Sequence, residues 1–366
     1  MKVLVSSLSR DFGGVESLFL NLAQSSLPDD LVFDFVCTDS SAAREQEFIS
    51  CGSRVIHISR PSRNLGKYFK EFQTLFKSHQ YDIYHVNLTR FRFPLDIIIA
   101  KMAGIKVILH CHATQIYDVG SNKTRIIRKA EQKLFKPIFA LCSDQNLACS
   151  VNAGKYLFGQ KPYQVIHNGI HLEKFSFNDN SRHRIREEMG LEGKKIIGHV
   201  GRFSLEKNHA FMLRIMRQLI DCDDNYRLLL VGDGDLFGDI QKEVRENALD
   251  QYVIFTGQRR DIADLLSAMD VFLFPSIHEA LPITLLEAQM NGLPCVVSEN
   301  ITEELDVNEN IFRISLDEDP IKWVKEIIYA FGDRLACSEI NKFKDFEITT
   351  MKLELQKIYN SVCTNV

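Results

Sequence analysis

Two carboxylates stand eight positions apart in the stretch PSIHEALPITLLEAQMNGLPCVV, residues 275–297: Glu279 and Glu287. Such a pair could share a proton, hold a metal, or simply line the wet face of a helix. Pro282 suits the first turn of a helix and Gly292 suits its end, so Glu279 falls in the preceding loop and Glu287 in mid-helix. Eight helical residues would span roughly 12 Å, too far for a shared-proton dyad. The helix start at Ile283 and Thr284 offers free backbone N–H groups and a dipole that favours an anion. This arrangement fits one extended ligand, with a polar group near Glu279, an anion at the helix start and a second polar group near Glu287.

Other loops carry complementary groups. VGRFSLEKN places Arg202 and Lys207 five apart after a strand and before a helix, where a forked guanidinium and a point charge suit a diphosphate as well as they suit solvent. GGVES, from Gly13 to Ser17, gives a loop whose backbone can approach a ligand closely, or an ordinary turn into a helix. In ILHCHAT, His110 and His112 share one face of a strand end, open to a ligand contact, a metal or a half-buried structural role. No carboxylate or cysteine stands near them in a metal-ligand pattern. VGDGDLFG has three glycines after a strand, but the third falls one position late for a dinucleotide loop.

These loops need elements that bring them to one edge. Continuous apolar runs, rather than strict alternations, mark strands buried on both faces of a parallel sheet. They occur at 2–7, 33–39, 54–59, 82–87, 106–112, 139–143, 146–150 and 163–168, and again at 195–201, 227–234, 253–258, 271–276, 294–298 and 311–315. Amphipathic stretches between them predict helices, among them 15–26, 208–221, 236–249, 282–291 and 320–332. The fold class is therefore α/β, two Rossmann-like doubly wound parallel-sheet domains facing a cleft, with ligands expected at the carboxyl edges. The hinge falls near 169–180, giving domains 1–170 and 171–346, and the helix pattern at about 347–363 packs back on the first. Residues 171–194 read as polar and weakly periodic.

The composition is that of a soluble protein able to bury sizeable cores: 45% hydrophobic and 25% charged in 366 residues. The start is too short and polar for a signal peptide, and no apolar run is long enough to span a membrane. Nine scattered cysteines, odd in number and without zinc spacing, read as buried thiols in a reducing compartment, with Cys142 and Cys295 in strand-like runs. The net charge of −4 hides an asymmetry: residues 1–175 hold 22 basic and 15 acidic side chains, and the remainder is strongly acidic.

Taken in order, GGVE (13–16), HCHA (110–113), HNGI (167–170), VGRFSLEKN (200–208), VGDG (231–234), FTG (255–257) and Glu279 to Glu287 followed by GLPCVVS resemble the retaining family-4 glycosyltransferases of GT-B fold. The variants look most like the branch that builds bacterial capsular polysaccharides and exopolysaccharides. The resemblance implies a hexose or N-acetylhexosamine moved from a nucleoside-diphosphate sugar, favouring UDP with GDP-mannose as runner-up, to a glycan or lipid-linked acceptor. Arg202 and Lys207 match the diphosphate-holding pair, Glu279 the carboxylate at the donor sugar, and Glu287 the ribose carboxylate. Backbone amides around Leu281, Ile283 and Thr284 match the phosphate cradle. Gly14 matches the loop that closes over the phosphates, His112 the histidine near the sugar, and Gly201 and Gly257 lie in donor-binding motifs. The first domain then binds acceptor and the second binds donor. No metal and no cofactor are implied. Front-face attack is favoured over a double displacement with Glu279 as nucleophile.

One departure stands beside the match: where many relatives place an aromatic and a glycine after the first glutamate, this chain has Ala280 and Leu281. Acceptor contacts are assigned to Asn87, Arg90 and Arg92. The basic amphipathic stretches 63–77 and 121–137 suggest peripheral contact with anionic lipid, in a cytoplasmic protein on the inner face of the membrane. No nucleic-acid partner is expected. Rival readings are a sugar-nucleotide epimerase of the same fold and a non-catalytic nucleotide-sugar-binding module.

Overall fold

A computed structural model describes residues 1–10, 13–25, 31–79, 81–89, 91–114, 122–335 and 340–364. The chain divides into two compact units: Met1–Ile170 with Asp345–Val366, and His171–Lys344.

The first unit holds a sheet of β1 (Lys2–Leu8), β2 (Val32–Cys37), β3 (Val55–His57), β4 (Ile83–Leu88), β5 (Lys106–Cys111), β6 (Gln145–Ala148) and β7 (Gln164–Val165). Their order is β3-β2-β1-β4-β5-β6-β7, and every pairing is parallel. All six residues of β4 are buried, which is why the strand reads as an unbroken apolar run. The helix Ile348–Thr364 sets Met351, Leu355, Ile358, Tyr359 and Val362 into the same core as Val3, Phe33 and Phe35.

The second unit holds β8 (Lys195–Val200), β9 (Tyr226–Val231), β10 (Val253–Gly257), β11 (Val271–Phe274), β12 (Cys295–Ser298) and β13 (Ile311–Ile314), in the order β10-β9-β8-β11-β12-β13 and all parallel. Trp323, fully buried, meets the Phe211 ring edge-on at 5.3 Å in its core.

In each sheet the strand order reverses beside the first strand, where β1 meets β4 and β8 meets β11. Such a switch point opens a crevice outside the carboxyl ends of the strands. Gly14 follows β1, Asn87 lies near the end of β4, Arg202 and Lys207 follow β8, and Glu279 follows β11, so the candidate residues sit at the two switch points.

The structure departs from the sequence reading in several places. Residues 139–143 are not a strand but the end of a helix, Asn122–Cys142, which carries Pro137 within it. Cys142 is thus helical, and Cys222 is exposed at a helix end; the described cysteines are all free thiols. The polar stretch 171–194 contains a helix, Asp179–Glu188, held by arginines as well as by the single fully buried Ile185. Arg182 donates to the carbonyls of Ser267, Ala268 and Met269, and both Arg182 and Arg186 bind the carboxylate of Asp270. Among the described residues no helix is long and apolar enough to cross a membrane.

Candidate active site

In the second unit, β8 leads into the loop of Arg202 and Lys207, and a neighbouring glycine loop holds that loop in place. The N–H of Phe203 donates to Asp233 O at 2.9 Å, and the N–H of Leu236 donates back to Phe203 O at 3.0 Å. A Cβ on Gly232, at φ +141°, would lie 2.0 Å from Gly201 O, and one on Gly234 would lie 2.6 Å from Phe203 O. The glycines of VGDG therefore admit the backbone of the cationic loop. Gly257 joins through its carbonyl, which accepts from the N–H of Gly232 at 3.0 Å.

Two further bonds tie the cationic loop to the one after β11. The N–H of Ile277 donates to Glu206 O at 2.8 Å, and Asn208 Nδ2 donates to Pro275 O at 3.2 Å. Asn208 sits at φ +58°, a conformation that asparagine tolerates better than most residues. The consequence is an ion pair: Lys207 Nζ lies 2.6 Å from Glu279 Oε1, and 4.6 Å from the centre of the Phe274 ring. The sequence reading gave Lys207 to the diphosphate and Glu279 to the donor sugar without pairing them; the structure puts the two side chains in direct contact. Arg202 is half-exposed, with Nη2 3.6 Å from Asp235.

The helix that carries Glu287 runs Ile283–Met290. Pro282 precedes it in extended conformation rather than occupying its first turn, and Gly292 follows its end at φ +76°. The amides of Ile283 and Thr284 lie where a helix has no carbonyl four residues back to receive them. Leu281 is buried beside them. Ser276 Oγ, Thr284 Oγ1 and Glu206 Oε2 are shielded from solvent and have no hydrogen-bond partner among the described residues. Glu287 is 7% exposed, and burial pushes its carboxyl up to about 8, with Lys174 opposing the shift. It is therefore mostly protonated at neutral pH in this state, able to donate as well as accept. Burial also lowers His278, against the opposing charges of Glu279 and Glu206.

In the first unit, Gly13 caps the helix Gly14–Gln24, and the Glu16 carboxylate accepts from the Gly13 N–H at 3.1 Å and from Ser9 Oγ at 2.9 Å. A Cβ on Gly14 would meet nothing within 4 Å, so the backbone there lies open. Three histidines gather behind the sheet edge. His85 bonds Tyr359 Oη at 2.8 Å and His110 at 3.2 Å, and the rings of His110 and His112 lie 4.1 Å apart. Burial lowers all three, His85 and His112 to about 3, so they are neutral.

Asn87 and Arg92 have other partners than an acceptor. Asn87 is buried and bonded to Ser6 and His112, too deep to reach for a bulky ligand. Both terminal nitrogens of Arg92 bind the fully buried Asp96, at 2.7 and 2.6 Å, and Tyr84 Oη donates to the same carboxylate. Arg90 lies outside the described residues. Sequence patterns did not single out Ser6, Glu16, Glu206 or Asn208; their work is to hold loops or side chains, and only Glu16, three residues after a capping glycine, carried a local signal. Among the described residues no group of three or more His, Cys, Asp or Glu could hold a metal.

Residues 12–174 match Glycosyltransferase Family 4 and residues 194–333 match Glycosyl transferases group 1. The chain is 32% identical over 339 residues to the putative glycosyltransferase EpsF of Bacillus subtilis (strain 168), covering 89% of this chain and 86% of that one. It is 29% identical to the Escherichia coli UDP-Gal:alpha-D-GlcNAc-diphosphoundecaprenol alpha-1,3-galactosyltransferase, over 69% of this chain and 65% of the relative. The crystal structure of Anabaena Alr3699/HepE in complex with UDP and glucose superposes with a TM-score of 0.80 at 19% identity, covering 99% of this chain and all of that one. WaaG, a glycosyltransferase involved in lipopolysaccharide biosynthesis, gives 0.72 at 15% identity, over 98% of this chain and 99% of that one. The chain belongs to the family-4 glycosyltransferases, and its two parallel-sheet units have the GT-B fold.

Proposed function

We propose that this glycosyltransferase moves a hexose or N-acetylhexosamine from a UDP-sugar to a glycan or lipid-linked acceptor in bacterial surface polysaccharide synthesis, with retention and without a metal. The observation that carries the reading is the Lys207–Glu279 pair at 2.6 Å, on a loop that leads directly into the helix Ile283–Met290. Cation, carboxylate and helix start are there together. The relatives agree in chemistry: a UDP-galactose donor and a diphosphoundecaprenol acceptor for the Escherichia coli enzyme, UDP and glucose for Alr3699/HepE, and capsular polysaccharide biosynthesis for CapH of Staphylococcus aureus.

In this reading Lys207 and Arg202 meet the diphosphate as charge develops on the leaving group, and the backbone N–H groups near Leu281, Ile283 and Thr284 donate to the phosphate oxygens. Placed cations acting on developing charge lower a barrier more than the same charges in water. Gly14, Gly201 and Gly257 give backbone room near the donor. Glu287, largely protonated before binding, meets the ribose hydroxyls. His112 contacts the sugar. The bond from the anomeric carbon to the phosphate oxygen breaks, the acceptor oxygen bonds to the same face, and its proton passes to the departing phosphate. Glu279 is held by Lys207, which lowers its nucleophilicity and favours this route over double displacement.

Lipid contact belongs to one of the two basic stretches. The helix Leu65–His79 turns Tyr68, Phe72, Leu75 and Phe76 into the core, which uses up its apolar face. The helix Asn122–Cys142 instead exposes Ile127, Leu134 and Leu141, seven residues apart, with Leu141 at 85%. Arg128, Lys129, Lys133 and Lys136 lie on the same helix, a pattern suited to an anionic bilayer surface. A thermal-shift screen across nucleoside diphosphates and their sugars tests the reading. Stabilisation by UDP and a UDP-hexose is expected; no stabilisation by any of them would sink it. Release of an epimerised donor, with no glycoside formed, would favour the epimerase.

A further inference from the structure

Ser6 on β1, Asn87 on β4 and His112 after β5 form a chain of hydrogen bonds whose directions are all determined. The backbone N–H of Asn87 donates to Ser6 Oγ at 3.0 Å, and Asn87 Nδ2 donates to the Ser6 carbonyl at 3.2 Å. A carbonyl only accepts, so the amide nitrogen of Asn87 faces Ser6 and its oxygen faces away. That oxygen lies 3.1 Å from His112 Nε2. It too only accepts, so Nε2 carries the proton, and in a neutral imidazole Nδ1 is then a bare lone pair. Nδ1 is shielded from solvent and has no hydrogen-bond partner among the described residues. His110, whose ring lies tilted against that of His112, faces His85, which faces Tyr359; among the described residues no charged group acts on His112, and burial keeps it neutral.

We propose that Ser6 and Asn87 are positioning residues that lock His112 in the Nε2–H tautomer and so make Nδ1 an obligate acceptor for a hydroxyl or amide N–H of the transferred sugar. The ligand half rests on the reading that His112 meets that sugar. A phosphate or carboxylate oxygen is excluded at Nδ1, because two acceptors would face each other. The lock also denies His112 a role as general acid. A buried acceptor awaiting a donor discriminates strongly, since a sugar that lacks the group leaves the lone pair unmet.

The test is long-range proton–nitrogen correlation on the full chain labelled with 15N-histidine, with His112→Gln identifying the signal. The expected result is a proton on Nε2 and a lone pair on Nδ1, unchanged from pH 5 to 8. Asn87→Ala should give mixed tautomers and weaken nucleotide-sugar binding by about tenfold while leaving nucleoside-diphosphate binding unchanged. Asn87→Asp keeps an acceptor but adds a charge that raises the pKa of His112. In that variant, affinity for the nucleotide-sugar should fall as pH falls from 8 to 5, while the native protein stays flat. A proton on Nδ1 of the native protein would overturn the lock. Equal weakening of diphosphate and nucleotide-sugar by Asn87→Ala would overturn the positioning role. Should the native tautomer be as stated while no nucleotide-sugar binds, the functional reading fails and the ligand half with it, and the lock stands on the spectrum.

Discussion

At the scale of the residue, Lys207 and Glu287 differ in how their surroundings shape them. Lys207 sits against a carboxylate and an aromatic face, so removing it leaves Glu279 without its ion pair and, in the proposed reading, strips charge from the leaving group. Lys207→Ala should lower kcat by about 10²–10³-fold, in the range found for losing one group that stabilises transition-state charge; a fully active variant would remove it from the site. Glu287 is governed by burial. Its folded pKa of about 8 exceeds the usual glutamate value, so between about pH 4.5 and 8 the native state holds a proton that the unfolded chain releases. The stability this proton confers is complete below the lower value and is lost as pH rises through the higher one. Glu287→Gln should therefore match the native protein near pH 5 and exceed it at pH 8 by on the order of a few kcal/mol, as read by denaturant unfolding at each pH. Equal stability of the two at both pH values would show that the carboxyl ionises normally.

At the scale of the element, legibility followed burial. β4, β8, β9, β11 and β12 were readable because strands covered on both faces leave continuous apolar runs. The helix Asp179–Glu188 was not, because its anchors are arginines that reach backbone carbonyls and Asp270, and such anchors leave no apolar period. Residues 139–143 misled because an apolar run after Pro137 looks like a fresh strand, yet the helix continues through that proline. The site residues were legible as types at loop positions. Their pairing was not, since the contact of Lys207 with Glu279 depends on the bonds from Ile277 to Glu206 and from Asn208 to Pro275. VGDG shows the same point, for its glycines exist to let another loop pass. Gly232→Ala would place a methyl group against Gly201 O and should destabilise the second unit by about 1–3 kcal/mol in denaturant unfolding, as overpacking does. It should also weaken diphosphate binding, seen by calorimetry; a variant of native stability and affinity would show that the loop gives way.

At the scale of the whole molecule, a basic first half and an acidic second half share one chain. The exposed stripe of Ile127, Leu134 and Leu141 beside four basic residues lies in the basic half. The protein should bind anionic vesicles at low salt and release them at high salt, in a sedimentation assay. Leu134→Glu with Leu141→Glu should cut that binding at least tenfold by removing buried apolar area and adding like charge. Equal binding to neutral vesicles would count against an electrostatic contact. The two switch points, one per sheet, are what the GT-B fold supplies, and the proposed donor chemistry is concentrated in the second. Calorimetric titration of the native protein and of Lys207→Ala with UDP tests that claim most directly. The account predicts one site per chain in the native protein and at least tenfold weaker binding in the variant. Absence of binding to the native protein, or equal affinity in both, would contradict it.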